Sequence, residues 1–338
     1  MGRPDEGRTR SERGGLPAVR WGLLGTANIA AKAFLPALRE TGGRAVAVGS
    51  RSVDRAAAWA ADNQVERADS YGAVISDEEI DAVYLALPND QHAHWAAAAI
   101  SAGKAALCEK PLAMDAVQAA DLLAGIAPDA LLWESFVFPF HPQTDLIRAL
   151  VSEGRIGSLR EIISEFHFSI GRPDNIRLQP ERGGGALYDV GCYPIRLARL
   201  LSGAEPVGAT GSMGFGDQPV DLDVAAVVDF PDDLRLMLSA GMRRSPSTFT
   251  RIIGTQGELR VSNPFHPIET STVELWVLGD WVQTWPAADG TAFRHALEHI
   301  RAVLTSGEAP RYRATEDGLP QARAMDLVRA GVERTHPA

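Results

Sequence analysis

The chain has 338 residues, 45% apolar and 22% charged, and its 33 Lys plus Arg against 43 Asp plus Glu give a formal net charge of −10 at pH 7. At roughly 150 residues per domain this is about two ordinary globular domains, which excludes disulfide scaffolds and collagen-like chains, and no stretch approaches the roughly 20 apolar residues of a spanning helix. The acidic balance argues against a dedicated nucleic-acid binder, and two cysteines, Cys108 and Cys192, give no oxidised framework, so a reducing compartment is expected.

Residues 1–18 carry basic side chains with no apolar run behind them and read as a disordered tail rather than a signal peptide. From 19 to 138 short apolar runs alternate with helical stretches, the pattern of βαβ units and a parallel sheet. Strands are expected at 20–24, 45–49, 82–87, 105–108 and 130–133, and helices at 29–40, 53–63, 91–101 and 115–125. Asn89 and Asp90 are candidate N-caps of the third helix, and Gly103 lies just past its end. Right-handed crossovers wind such a segment into a doubly wound Rossmann sheet.

From 139 to 338 the pattern changes to longer strands with two-residue alternation, separated by Gly, Pro and Asp turns, at 159–170, 206–215, 220–230, 234–243, 249–261 and 272–285. In 220–230, Leu222, Val224, Ala226, Val228 and Phe230 share one face and Asp221, Asp223 and Asp229 the other. Helices are expected at 144–152, 185–202, 291–305 and 316–333. The result is an α+β domain on a mostly antiparallel sheet with one face solvated or covered by a partner.

Strand 20–24 runs into Gly25-Thr26-Ala27-Asn28-Ile29-Ala30, a G-x-G-x-x-G/A pattern with alanine at its second and third positions. Glycine permits the tight turn, and the helix that follows offers unpaired N–H groups to a pyrophosphate. The second strand ends in Ser50 and Arg51 where an NAD-selective site carries an acid. A planar guanidinium and a hydroxyl suit the 2′-phosphate of NADP, while Asp54 within reach of a ribose leaves NAD admissible.

The run LPNDQHAHWAAAAISAGKAALCEKPLAM at 87–114, with its Glu109-Lys110-Pro111, resembles the glucose-fructose oxidoreductase, inositol dehydrogenase and rhizopine catabolism (Gfo/Idh/MocA) family. GGGALYDVGCYPI at 183–195 is similar to its branch of dimeric dihydrodiol dehydrogenase, NADP-dependent xylose dehydrogenase and glucose-fructose oxidoreductase, and RIIGTQGELRV at 251–261 extends the likeness. The chain departs from the pattern at Ala27, where many relatives carry glycine, and at Phe138-Pro139, where relatives often read Tyr-Arg.

Asp189 and Tyr193 lie four residues apart on one helix face. The resemblance implies that this pair and Lys110 surround the reacting carbon, and that a cis Lys110–Pro111 bond aims the lysine at them. Hydride transfer from a carbinol needs a base for the hydroxyl proton. Tyr193 is therefore assigned as acid/base, Lys110 as the cation that lowers its pKa and holds the substrate hydroxyl, and Asp189 as an orienting acceptor. Leu87, Pro88, Asn89, His92, Glu109 and Lys110 are expected along the nicotinamide pocket, after Gly25, Thr26, Ala27, Asn28 and Ile29 at the phosphates, and Arg177 at the substrate.

His141, His167, His295 and His299 show no metal-ligand spacing and read as structural, so no metal is expected; Trp276, Trp281 and Trp285 read as sheet packing or subunit contact. The expected activity is NADP-dependent oxidoreduction at C1 of an aldopyranose or on a trans-dihydrodiol, by a cytoplasmic homodimer joined through its open sheet. Two rivals are a redox-neutral NAD-dependent sugar enzyme such as a glycosidase and a non-catalytic NADP-binding sensor. The joint presence of Lys110, Asp189 and Tyr193 argues against the sensor.

Overall fold

The computed structural model describes residues 17–335, so most of the tail expected at 1–18 lies outside the described residues. Six short strands, β1 (Arg20–Leu24), β2 (Arg44–Gly49), β3 (Arg67–Asp69), β4 (Ala82–Leu85), β5 (Ala105–Cys108) and β6 (Leu132–Glu134), form a parallel sheet in the order β3-β2-β1-β4-β5-β6. β4 and β5 are buried at every position, because helices cover both faces of a parallel sheet. Those helices are α1 (Leu35–Glu40), which continues a π-helical turn over Ala30–Phe34, α2 (Val53–Asn63), α3 (Tyr71–Ser76), α4 (His92–Ser101) and α5 (Ala116–Ala124). The strand order reverses between β1 and β4, the place where doubly wound sheets open a ligand crevice.

After α6 (Pro142–Ser152) comes the second sheet: β7 (Leu159–Ser169), β8 (Gly208–Phe215), β9 (Asp221–Asp229), β10 (Arg235–Gly241), β11 (Arg243–Gly254), β12 (Gly257–Ser262), β13 (Thr272–Val277), β14 (Asp280–Pro286) and β15 (Val332–Thr335). Its order is β14-β13-β12-β11-β7-β10-β9-β8-β15, antiparallel except where β10 meets β7 and β15 meets β8. One face is buried under α6, α7 (Cys192–Ser202) and α9 (Ala314–Gly331), where Ile147, Ile195, Leu236 and Val328 join one core. α8 (Ala292–Ser306) returns to the first sheet, and its Phe293, Leu297 and Ile300 share a core with Trp21 and Phe34.

Several expectations need correcting. Residues 249–261 and 272–285 are hairpins rather than single strands, turning at Thr255-Gln256 and at Leu278-Gly279. The helix expected at 316–333 stops at Gly331, and Val332 begins an edge strand. β3 and α3 were not anticipated, since three residues of strand carry too little periodicity to register. Asn89 and Asp90 do not cap α4, which starts after a 3-10 turn over Asn89–Gln91 with no side-chain cap. Both side chains reach the second domain instead: the Asn89 amide donates to the Gly183 carbonyl at 2.8 Å, and Asp90 pairs with Arg182 at 3.3 Å.

Candidate active site

The phosphate turn sits at the carboxyl end of β1. Gly25 holds φ 101° and its N–H donates to the Gly49 carbonyl at 3.0 Å. A Cβ there would lie 2.3 Å from the Ala86 carbonyl oxygen, so the turn can pass the end of β4 only as glycine. The helix that follows starts at Asn28, and its first backbone bond runs from the Ala31 N–H to the Ala27 carbonyl at 3.4 Å, which leaves the N–H groups ahead of Ala31 for an outside anion. Beside it, at the end of β2, Ser50 is buried and Arg51 exposed, and among the described residues Arg51 has no hydrogen-bond or ion-pair partner. A glycine cradle, uncapped amides and a free guanidinium fit a dinucleotide with a 2′-phosphate.

Lys110 follows β5, and its bond to Pro111 is cis. Asp189 lies in a π-helical turn over Leu187–Gly191 that continues into α7, which carries Tyr193. The start of that helix is fixed by Asp221, whose Oδ2 accepts the Leu187 N–H at 2.7 Å. Asp221 was expected on the solvated face of its strand; it is buried, and burial, opposed by that N–H, pushes its carboxyl up to about 6. Gly185 (φ 134°) precedes the turn, and a Cβ on it would stand 2.2 Å from Asp221 Oδ1.

Lys110 Nζ donates to the Asp189 carbonyl at 2.6 Å and to its Oδ1 at 3.1 Å, and stands 5.2 Å from the centroid of the Tyr193 ring. Arg177 Nε donates to the other oxygen, Oδ2, at 2.6 Å. One carboxylate thus orders two cations from different segments. All four side chains line a cleft of about 270 Å³ that also takes in Ile29 of the phosphate turn, Glu109, Phe166, Phe168, His266 and Phe293.

The electrostatics follow from burial and pairing. Burial pulls the Lys110 pKa down, but the Asp189 carboxylate, joined by Tyr193, Cys192 and Glu109, more than reverses this and holds the ammonium above its ordinary range. Asp189, which burial would raise, is held below the usual carboxylate range by Lys110 and Arg177. Tyr193 departs from expectation. Lys110 does pull its phenol down, but burial among Phe136, Phe138, Phe166 and Phe265 pushes it up further, so it is protonated at neutral pH. The ammonium shares its charge with Asp189, which reduces what it can do for the phenol.

The remaining predicted residues divide. Glu109 lines the cleft and accepts the Tyr84 hydroxyl at 2.6 Å. His92 is fully buried beneath it, with Nδ1 2.7 Å from the Pro111 carbonyl and Nε2 2.9 Å from the Leu87 carbonyl. It ties the lysine turn to the end of β4 and has no surface in the cleft. His266, Phe166 and Phe168 escaped the sequence reading. Phe166 and Phe168 stand on the cleft-facing register of β7, and His266 lies in a loop between two prolines, Pro264 and Pro267, a stiffness that was the one available signal.

Behind the lysine turn, Glu134 Oε1 accepts the Leu112 N–H at 2.9 Å. Burial pushes its carboxyl up to about 7 against that hydrogen bond, with Asp317 adding to the rise. A raised carboxyl favours folding while protonated, so this contribution is full below the unfolded value near 4.5 and is lost as pH climbs through about 7. Glu134→Gln keeps an acceptor for Leu112 and cannot ionise. It should match the wild type near pH 4 and exceed it at pH 8 by about 1–3 kcal/mol, read from denaturant unfolding at the two pH values. Equal differences at both would contradict this.

Comparison with known proteins gives a consistent result. Residues 19–129 match the family model described as oxidoreductase family, NAD-binding Rossmann fold, and 144–260 match the GFO/IDH/MocA C-terminal domain. A D-xylose 1-dehydrogenase (NADP(+)) of Haloferax volcanii is 30% identical over 93% of this chain and 98% of its own length. A dTDP-3,4-didehydro-2,6-dideoxy-alpha-D-glucose 3-reductase of Actinomadura kijaniata is 34% identical over 93% of this chain and 95% of its own. The crystal structure of a 3-ketoreductase from the same organism, in complex with NADP and TDP-benzene, superposes with a TM-score of 0.86 at 32% identity, covering 95% of this chain and all of that one.

Proposed function

The chain belongs to the Gfo/Idh/MocA family of oxidoreductases, and from that premise we propose that Lys110, Asp189 and Tyr193 are its reacting machinery. It is an NAD(P)-dependent oxidoreductase of sugars or dihydrodiols, with NADP as cofactor. The reading of the site rests on one observation: the Lys110 ammonium and the Tyr193 phenol face a single cleft that begins at the phosphate turn.

The bound nicotinamide supplies the hydride chemistry. Tyr193 Oη gives its proton to the substrate oxygen as a carbonyl is reduced and takes one back as an alcohol is oxidised. Lys110 Nζ, held by Asp189, stabilises the negative charge that develops on that oxygen. Arg177 fixes the second oxygen of Asp189 and so sets the direction in which the carboxylate presents the lysine.

Arg51 binds the 2′-phosphate. A panel of pentoses, hexoses and dihydrodiols, assayed by absorbance with NADP+ and with NAD+, should show kcat/KM at least about tenfold higher with NADP+. Arg51→Glu should reverse that order; an unchanged ratio would remove Arg51 from the phosphate site.

We further propose a cytoplasmic homodimer. The uncovered face of the second sheet carries Met237, 42% exposed, with the partly exposed Ile163, Val227 and Phe249, apolar groups that a second copy would bury. Cys108 and Cys192 are free and buried, as suits a reducing compartment. Sedimentation of a monomer at micromolar concentration would overturn the dimer, and fractionation of the source cells checks the compartment. Among the described residues no helix is long and apolar enough to cross a membrane.

A further inference from the structure

His266 stands on the cleft wall with no protein partner. Its ring packs edge-on against Tyr193 (centroids 5.4 Å apart, 70° between planes) and against Phe166 (5.9 Å, 71°). Among the described residues neither of its nitrogens makes a hydrogen bond to the protein, a state it shares with the exposed His94 on the surface of α4, whereas His92, His141, His167, His295 and His299 each have at least one ring nitrogen on a carbonyl, hydroxyl or carboxylate. The ring is exposed to the solvent of the cleft, while the packed walls behind it and the nearby Lys110 ammonium hold its pKa below the ordinary imidazole value, so at neutral pH it presents one donor and one acceptor.

The loop that carries it is anchored on both sides of the histidine. Phe265 is fully buried, stacked on Phe166 at 5.7 Å and packed against Phe138 and Tyr193. The Asn263 N–H donates to the Thr248 carbonyl at 3.2 Å, the Asn263 amide reaches Ser271 Oγ at 3.3 Å, and the Ile268 N–H donates to the same oxygen at 2.9 Å. An imidazole fixed this firmly with its hydrogen-bonding capacity unused by the protein is arranged to read a ligand.

We propose that His266 is a specificity-determining residue that hydrogen-bonds a second hydroxyl of the substrate, on the carbon next to the one that reacts at Tyr193. A hydroxyl both donates and accepts, as a neutral imidazole does, so the substrate class is a vicinal diol or polyol rather than a simple alcohol. This rests on the assignment of Tyr193 above. It deepens that assignment by adding the neighbouring position, and it accounts for a polar group on a wall otherwise built of Phe166 and Phe168.

The test uses the full chain loaded with NADPH, with the His266 Cε1–H resonance assigned from its loss in His266→Phe. Addition of trans-cyclohexane-1,2-diol should shift that resonance saturably and cyclohexanol should not; no shift with either, or equal shifts with both, would overturn the proposal. In the kinetic arm, with D-xylose and NADP+, His266→Phe keeps the aromatic packing and should raise KM about 10- to 100-fold with kcat within about threefold. His266→Asn retains a donor and an acceptor and should recover part of the loss. Identical behaviour of the Asn and Phe variants would also overturn it. Should the wild type fail to turn over D-xylose, the resonance arm decides alone, and an effect of Lys110→Met on turnover reports separately on the catalytic reading.

Discussion

Lys110→Met should lower kcat/KM by about 10²- to 10⁴-fold while NADP+ affinity changes by only a few fold. Methionine fills the space of the lysine stem, and the variant leaves Asp189 paired with Arg177, so the fold of the cleft persists. What disappears is the cation 5.2 Å from the Tyr193 ring. Tyr193→Phe should cost a similar factor, because it removes the proton donor and leaves the aromatic packing with Phe136 and Phe265 in place. The two losses should not multiply in the double variant, since ammonium and phenol act on the same oxygen. Initial rates with the best substrate of the panel, with cofactor binding followed by nicotinamide fluorescence, check this. If Lys110→Met stays within tenfold of the wild type, the lysine is structural.

The protonated state of Tyr193 gives this result a direction. Burial keeps the phenol above its ordinary value despite Lys110, so carbonyl reduction starts from a donor already in its working form. Alcohol oxidation must first lose that proton, so its kcat/KM should climb with pH across the neutral range while that of reduction stays flat.

Asp189→Ala should be the most destabilising single change in the cleft. The Lys110 and Asp189 side chains are only 10% and 15% exposed, and removing the carboxylate leaves one ammonium and one guanidinium facing each other without a counter-charge. Breaking a buried pair in this way costs about 3–5 kcal/mol. The Arg177 side chain is 41% exposed and relaxes into water, which brings the expected loss toward the lower end. The sign with pH is fixed by the depressed carboxyl. Its contribution is present above the unfolded value of 3.8 and disappears as pH falls through the lower folded one, so wild type and Asp189→Asn should converge only in strong acid. Chemical unfolding from pH 8 down to pH 3 measures this; a gap that closes already near pH 6 would show that the ion pairs contribute little. Activity should fall in both variants, because the lysine loses the carboxylate charge that helps aim it and keeps the backbone carbonyl of residue 189 as its anchor.

The three residues proposed as the reacting machinery were legible for different reasons. The four-residue spacing of Asp189 and Tyr193 places them on one face of any helix, and the helix is there, although its first turn is π rather than α. Lys110 came from a family motif and not from spacing, because nothing local in Glu109-Lys110-Pro111 announces a partner 79 residues away. His92 shows the opposite failure. Its place after the third major strand suggested the cofactor pocket, yet its two nitrogens sit on backbone carbonyls and its ring is sealed under the site. Asp221 failed in the same way, since strict alternation along a strand assigns it to the solvent face, and the bulge where β8 meets β9 lets it turn in to hold the helix start.

The sequence by itself determined the two sheets, the glycine turn and the helix that carries the acid and the phenol. These follow from periodicity, from the one residue that tolerates a positive φ, and from spacing within one element, all of which are local properties. Only the tertiary structure decided that Asp189 binds Lys110 and Arg177 together, that burial outweighs the lysine in setting the Tyr193 phenol, and that His266 completes the wall. Each of these depends on distances between segments far apart in the chain and on how much water their meeting excludes. No local pattern encodes either quantity.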